Sequence, residues 1–245
     1  MRKNIVVDIF IPCFVDQVYP NTGMNMVKVL ESLGCEVNYI PTQTCCGQPA
    51  FNAGFFDEAK DVAVKFVNEF AKNNRYIVAP SASCVGMIRN NYIRLFENSS
   101  YLYEYRKVQR NIYEFTEFLV DVLKVTRIEG AELDAVATYH DSCSALRECL
   151  IKTGPRQLLK NVRGLKLVEM KDCETCCGFG GTFAVKFEPI SVGMAEQKID
   201  NALAAEAEII ISTDSSCLMH LQGYTEKQNK KVKLMHIADV LASGW

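Results

Sequence analysis

Eleven cysteines are distributed over 245 residues, and eight of them form a pattern that occurs twice. Cys45-Cys46-Gly47 returns as Cys176-Cys177-Gly178; a lone cysteine precedes each pair, Cys13 and Cys143, and another follows, Cys84 and Cys217. Around these the match continues, with Gln43-Thr44 against Glu174-Thr175 and Ser83-Cys84-Val85 against Ser216-Cys217-Leu218. Four thiolates are what one tetrahedral metal ion or one cubane iron–sulfur cluster requires. The spacing predicts two such sites, Cys13, Cys45, Cys46 and Cys84 for the first and Cys143, Cys176, Cys177 and Cys217 for the second.

Neighbouring cysteines cannot both face one site from regular structure. Consecutive side chains point to opposite faces of a strand and diverge on a helix, so each pair must occupy an irregular turn. Gly47 and Gly178 directly after the pairs can take positive φ and let the backbone wrap around a ligand, and Gly180 and Gly181 continue that character in the second copy. Their bare N–H groups can also donate to cluster sulfur. Gly178-Phe179-Gly180-Gly181-Thr182-Phe183 is not a dinucleotide fingerprint, because Phe183 stands where its third glycine belongs. On residues alone the eight thiols suit iron–sulfur clusters, zinc in one or both halves, a dithiol couple of Cys173 with Cys176, or packed apolar cysteines.

The elements that must position these thiols alternate. Ile5–Ile11, Glu36–Ile40 and Tyr76–Ala79 read as strands in the first half; Ala135–Tyr139, Leu165–Glu169 and Glu208–Ser212 repeat them in the second. A helix is expected from Thr22 to Leu33 with Asn21 or Thr22 as its cap, and another through Ala59, Val62, Ala63, Phe66, Val67 and Phe70. Val192, Ala195, Ile199, Ala202 and Leu203 give a third helix its apolar face. The class is α/β: two tandem, pseudo-symmetric halves, each a small parallel sheet flanked by helices. The expected division is a first repeat over 1–96, a helical connector over 97–134 with a stripe of Ile112, Phe115, Leu119, Val122 and Leu123, and a second repeat over 135–245. Each cysteine or pair follows a strand's carboxyl end, where open α/β sheets hold their ligands.

Bulk properties exclude several functions. A formal net charge of -2, with no basic cluster beyond Lys230, Lys231 and Lys233, is no footprint for nucleic acid. No apolar segment reaches the roughly 20 residues that span a bilayer, and the run after Met1-Arg2-Lys3-Asn4 is broken by Asp8 and lacks a cleavage site. An odd cysteine count in a chain without an export signal fits the cytoplasm, where thiols stay reduced.

Among neighbouring residues, His140 and His220 lie three positions from Cys143 and Cys217, and both, with His236, are expected to be structural rather than ligands. Asp141 and Asp214 are expected to cap helices, Cys35 and Cys149 to be packed thiols, and Arg89, Arg94 and Arg147 to be solvated.

Ile11-Pro12-Cys13, Cys45-Cys46-Gly47-Gln48-Pro49, Tyr139-His140-Asp141-Ser142-Cys143, Cys176 to Phe183 and Ser216-Cys217-Leu218-Met219-His220-Leu221 resemble, over nearly the full length, the cysteine-rich CCG-domain family of the lactate utilization protein A type. The domain is related to that of the cysteine-rich subunit of heterodisulfide reductase and to the iron–sulfur subunit of glycolate oxidase, whose additional ferredoxin region is missing here. The wider pattern closes each copy with C-x-x-C; the earlier position is Ser81 in one copy and Asp214 in the other, which argues for four-cysteine [4Fe-4S] sites over five-cysteine ones. The resemblance implies an electron-transfer subunit of a three-component complex that oxidises L-lactate to pyruvate, rather than a stand-alone enzyme. It implies one or two [4Fe-4S] clusters, with zinc an alternative in one half, and partners that are the B- and C-type lactate utilization subunits. Peripheral membrane association stays open, as do a zinc-stabilised scaffold and a heterodisulfide-reductase-like or glycolate-oxidase-like redox subunit.

Overall fold

A computed structural model describes residues 5–245; Met1–Asn4, placed in the first repeat by the sequence, lie outside the described residues. Strands β1 (Ile5–Ile9), β2 (Cys35–Tyr39), β3 (Tyr76–Ala79) and β4 (Ile112–Glu114) form one sheet in the order β2-β1-β3-β4. Strands β5 (Glu132–Tyr139), β6 (Arg163–Val168), β7 (Ile209–Ser212) and β8 (Lys233–His236) repeat that order as β6-β5-β7-β8. Every pairing in both sheets is parallel. β7 is buried along its whole length, as a strand covered on both faces must be, which is why it reads as an unbroken apolar run.

The α/β class and the twofold repetition expected from the sequence are those of the structure. The helix Phe56–Phe70 turns Ala59, Ala63, Phe66, Val67 and Phe70 inward, and Glu188–Ala204 buries Ala195, Ile199 and Ala202 in the second half. Two expectations are corrected. The first long helix spans Pro20–Ser32: Pro20 already carries the fixed φ of an opening residue, so neither Asn21 nor Thr22 caps it, and the Thr22 hydroxyl donates instead to Asp239 at 2.9 Å. Ile112 does not join the helical stripe of Phe115 and Leu119, because it starts β4, an edge strand within the stretch 97–134.

Packing joins the halves. Val7, Ile9 and Val78 of the first sheet share a core with Phe115, Phe118, Ala137, Ile209, Ile211 and Val240. A second core, with Phe10, Phe66 and Phe70 at its centre, covers the outer face of the first sheet, and a smaller one with Ala195, Ile199 and Leu221 covers that of the second.

Candidate metal centres

In each sheet the strand order reverses between the first and third strands, and the crevice beyond their carboxyl ends is where doubly wound sheets bind ligands. Cys13 follows β1 and opens the helix Cys13–Val18, Cys45 and Cys46 follow β2, and Cys84 lies in the helix Ala82–Gly86 after β3. The Cys13 and Cys45 sulfurs are 3.6 Å apart. Cys46 adjoins both Cys45 and Cys84, so the four thiols predicted for the first site come together. The second half repeats the chain of contacts: Cys143 meets Cys176, Cys176 meets Cys177, and Cys177 meets Cys217.

Each pair sits on a turn that glycine makes. Gly47 has φ 77° and Gly178 φ 97°. Their N–H groups point back at sulfur, Gly47 to Cys45 at 3.3 Å and Gly178 to Cys176 at 3.4 Å. Gly180 and Gly181 turn the chain into the helix Thr182–Lys186. Hydrogen bonds from Cys13 and then Cys46 hold the Cys45 thiol far below its ordinary range, while Cys13 and Cys46 are pushed up. Donation from Cys143 and then Cys177 lowers Cys176 likewise, and both donors rise. Cys13 is exposed and Cys45 half-buried, whereas Cys46, Cys84, Cys177 and Cys217 are buried, so each site has a dry wall and a wet rim.

The two sites face one another across the junction of the halves. The helix carrying Cys84 packs on the turn Ser144–Glu148 that follows Cys143, and the helix of Cys13 packs on Ser215–Lys227, which carries Cys217. Phe14 meets Phe179 edge to face, with ring centroids 6.0 Å apart. Asp214 lies at the centre: its buried carboxylate accepts from the Ser83 N–H at 3.0 Å, from the Ser81 hydroxyl at 3.2 Å and from Ser142. Ser81 and Asp214, the two positions where the wider pattern has further cysteines, are thus hydrogen-bonded to each other. Asp214 does not cap its own helix as expected, since its oxygens are turned across the junction. Asp141 does not cap either; Arg156 grips it with two hydrogen bonds of 2.8 and 2.7 Å.

Of the remaining residues singled out in the sequence, Cys35 and Cys149 are buried, and Cys149 donates to the Ala82 carbonyl at 3.4 Å. Cys173 lies against Arg156, at 3.8 Å from its guanidinium. Arg89 is not free in solvent; it pairs with both oxygens of Glu117 at 3.0 and 2.8 Å. Arg94 stacks on Phe51, and Arg147 reaches the Glu174 carbonyl. His220 lies 3.2 Å from the Ser191 hydroxyl, and His236 accepts from the Ala238 N–H and faces the Thr213 carbonyl.

His140 differs from both. It is completely buried, and neither ring nitrogen has a hydrogen-bond partner of acceptable geometry among the described residues. One of those nitrogens and the sulfurs of Cys177 and Cys217 lie within 4.8 Å of one another. Burial and the nearby Lys198 hold its pKa down at about 3, so the ring is neutral. Sequence reasoning missed Lys198, which is buried and donates to the Asp172 carbonyl at 2.6 Å and to that of Cys173 at 3.2 Å. The signal existed: a lysine between Ala195 and Ala202 interrupts an otherwise apolar helical face. Soft sulfur donors, N–H groups aimed at sulfur and an orphaned imidazole fit an iron–sulfur cluster or a thiophilic ion such as zinc.

The sequence matches the cysteine-rich domain family CCG over residues 7–89 and again over 137–222. Curated relatives include lactate utilization protein A of Exiguobacterium sp., 43% identical over 97% of this chain and 97% of its own length. Lactate utilization protein A of Bacillus cereus is also 43% identical, over 97% of this chain and 98% of its own. Among solved structures, a hypothetical protein from Helicobacter pylori superposes with a TM-score of 0.63 at 9% identity; this chain covers 48% of that one, and the likeness is of fold. With both repeats matched and relatives of this identity aligned end to end, the chain belongs to the cysteine-rich CCG domain family, within its lactate utilization protein A group.

Proposed function

We propose that this chain is an iron–sulfur electron-transfer subunit of an L-lactate-oxidising complex, with Cys13, Cys45, Cys46 and Cys84 holding one [4Fe-4S] cluster and Cys143, Cys176, Cys177 and Cys217 another. The observation that carries the reading is the gathering of each predicted set of four thiols in the crevice of its sheet. The lactate utilization names of its relatives supply the substrate system. A cluster bound there would supply one-electron transfer. The chain's own residues would do the rest: the thiolates hold the metal, Gly47 and Gly178 N–H groups stabilise negative sulfur, and the wet rim at Cys13 and Cys45 gives a partner access. Conversion of lactate to pyruvate would need further subunits of B and C type, with this chain as relay. No helix among the described residues is long and apolar enough to cross a membrane, and eleven free cysteines support a reducing, cytoplasmic setting.

Anaerobic purification of the full chain, assayed for iron and acid-labile sulfide, tests this. Brown protein with both, and a signal that appears on reduction, is expected; colourless protein that takes up neither after anaerobic reconstitution would refute the reading. One observation favours a second reading. Thiolates around a single tetrahedral zinc stand about 3.8 Å apart, from a Zn–S bond of about 2.3 Å, and the Cys13–Cys45 separation of 3.6 Å is close to that. Under this reading the chain is a zinc-stabilised scaffold, and the same elemental assay would find zinc in place of iron and sulfide.

A further inference from the structure

The two halves differ at one position that bears on metal chemistry. Three residues before the first cysteine of the first repeat stands Phe10, and three before that of the second stands His140. Phe10 packs edge to face on Phe66, ring centroids 4.8 Å apart, and on Phe70, and needs no polar partner. Phe66 is the eleventh residue of Phe56–Phe70; the eleventh residue of Glu188–Ala204 is Lys198, the group that acts on His140. Where the first half packs two aromatic rings, the second places an imidazole and a lysine.

The polar group beside the imidazole is the Cys173 carbonyl, which already accepts from Lys198 at 3.2 Å and from the Asp141 N–H at 3.2 Å and leaves the ring without a well-aligned partner. A buried imidazole with neither nitrogen bonded is costly unless something binds it. The atoms close to it are the sulfurs of Cys177 and Cys217, themselves buried, and three such donors within 4.8 Å of one another can share one metal atom.

We propose that His140 is a nitrogen ligand of the second centre, taking the place of one of its four thiolates beside Cys177 and Cys217, so that the second half holds its metal through mixed nitrogen and sulfur donors and the first through sulfur only. The inference rests on the proposal above that the second half binds metal. A His-ligated iron has a higher potential than an all-thiolate one, so the two centres of one chain would differ in potential, with the second the easier to reduce.

The test uses the full chain in which Cys13, Cys45, Cys46 and Cys84 are replaced by serine, reconstituted anaerobically with iron and sulfide, reduced, and measured by pulsed EPR with natural-abundance and 15N-histidine labelling. A strong coupling to a directly bound nitrogen is expected, changing with the isotope, lost in His140→Phe and kept in His220→Gln. Iron uptake with no such coupling, or a coupling that survives His140→Phe, would overturn the inference while leaving the iron–sulfur reading intact. If the chain takes zinc but no iron, the electron-transfer reading fails, and the cobalt(II)-loaded chain decides the inference by the same isotope-sensitive coupling. Failure to bind iron, zinc or cobalt overturns both. Should His140→Phe not fold, His140→Phe with Lys198→Phe, which copies the Phe10–Phe66 pair of the first half, replaces it.

Discussion

The two crevices are built from the same strand order and the same cysteine spacing, yet their surroundings differ in kind. Beside the first pair, Phe10, Phe66, Phe70 and Tyr92 form a continuous aromatic wall, and the Tyr92 hydroxyl donates to the Cys46 carbonyl at 2.9 Å. Beside the second, the places of Phe10 and Phe66 are taken by His140 and Lys198, and Cys173 lies against the Arg156 group with Asp141 and Glu169. Duplication has kept the sulfur framework, which depends on strand ends and glycine turns, and let the packing behind it diverge.

The cysteine pairs carry the largest expected effect. Replacing Cys176 and Cys177 by serine should remove the second centre only, lowering metal per chain by about half and leaving the first centre's spectrum unchanged; Cys45 and Cys46 replacement should do the converse. Elemental analysis beside spectroscopy checks this, and loss of all metal from either variant would mean that the halves do not bind independently. Next in size is the junction. Asp214→Ala leaves Ser81, Ser142 and the Ser83 N–H without their acceptor, a loss of about 3 kcal/mol or more for hydrogen bonds to a buried charge. Urea unfolding should show it, and Asp214→Asn should recover part.

The sulfur framework and six of the eight strands were legible in the sequence because each rests on a local rule. Adjacent cysteines demand an irregular turn, glycine supplies it, and apolar runs between helical segments imply parallel strands. β4 and β8 were not legible: Ile112–Glu114 and Lys233–His236 are short edge strands that end on polar residues and lack the unbroken apolar run of β3 and β7. The long-range partners were hidden for a different reason. Asp214 has the sequence position of a cap because it precedes a helix, and only the meeting of the halves supplies the serines that compete for its oxygens. His140 has that of a structural residue, and only the fold shows how few well-aligned partners its buried ring has. Lys198 alone left a trace, as a charge on an apolar helical face.

The two glycine turns differ on a smaller scale. A Cβ on Gly178 would come within 2.5 Å of the Ser191 carbonyl oxygen, whereas one on Gly47 would stand 3.2 Å from the Ala59 carbonyl. Both positions carry the left-handed strain, about 1–3 kcal/mol for a residue with a side chain. Gly178→Ala should therefore cost more than Gly47→Ala, since a carbonyl within a helix cannot move aside. Equal losses in denaturant would mean that the second turn is softer than its packing implies.

The smallest contrast lies at the ends of the fourth strands, where each half caps the helix that follows with a buried titratable side chain. Glu114 accepts from the Thr116 and Glu117 N–H groups, and His236 accepts from that of Ala238. Burial pushes Glu114 up to about 8, against the hydrogen bonds that favour its charge, and burial pushes His236 down. The signs are opposite. Between its ordinary value of 4.5 and about 8 the folded protein keeps the Glu114 proton that the unfolded chain has released, so stability falls as pH rises. Below the ordinary histidine value of 6.5 the unfolded chain carries the His236 proton that the folded protein has shed, so stability rises with pH until that value is reached; His140, held at about 3, adds to the same limb. Each group contributes at most about 1.4 kcal/mol per pH unit. Glu114→Gln should flatten the decline toward pH 8 and leave the acid side unchanged, and His236→Gln should soften the acid limb and leave the decline. Urea midpoints from pH 4 to 9 separate the two, and a variant that moves both limbs together would show that the caps of the two halves are coupled through the shared core rather than titrating apart.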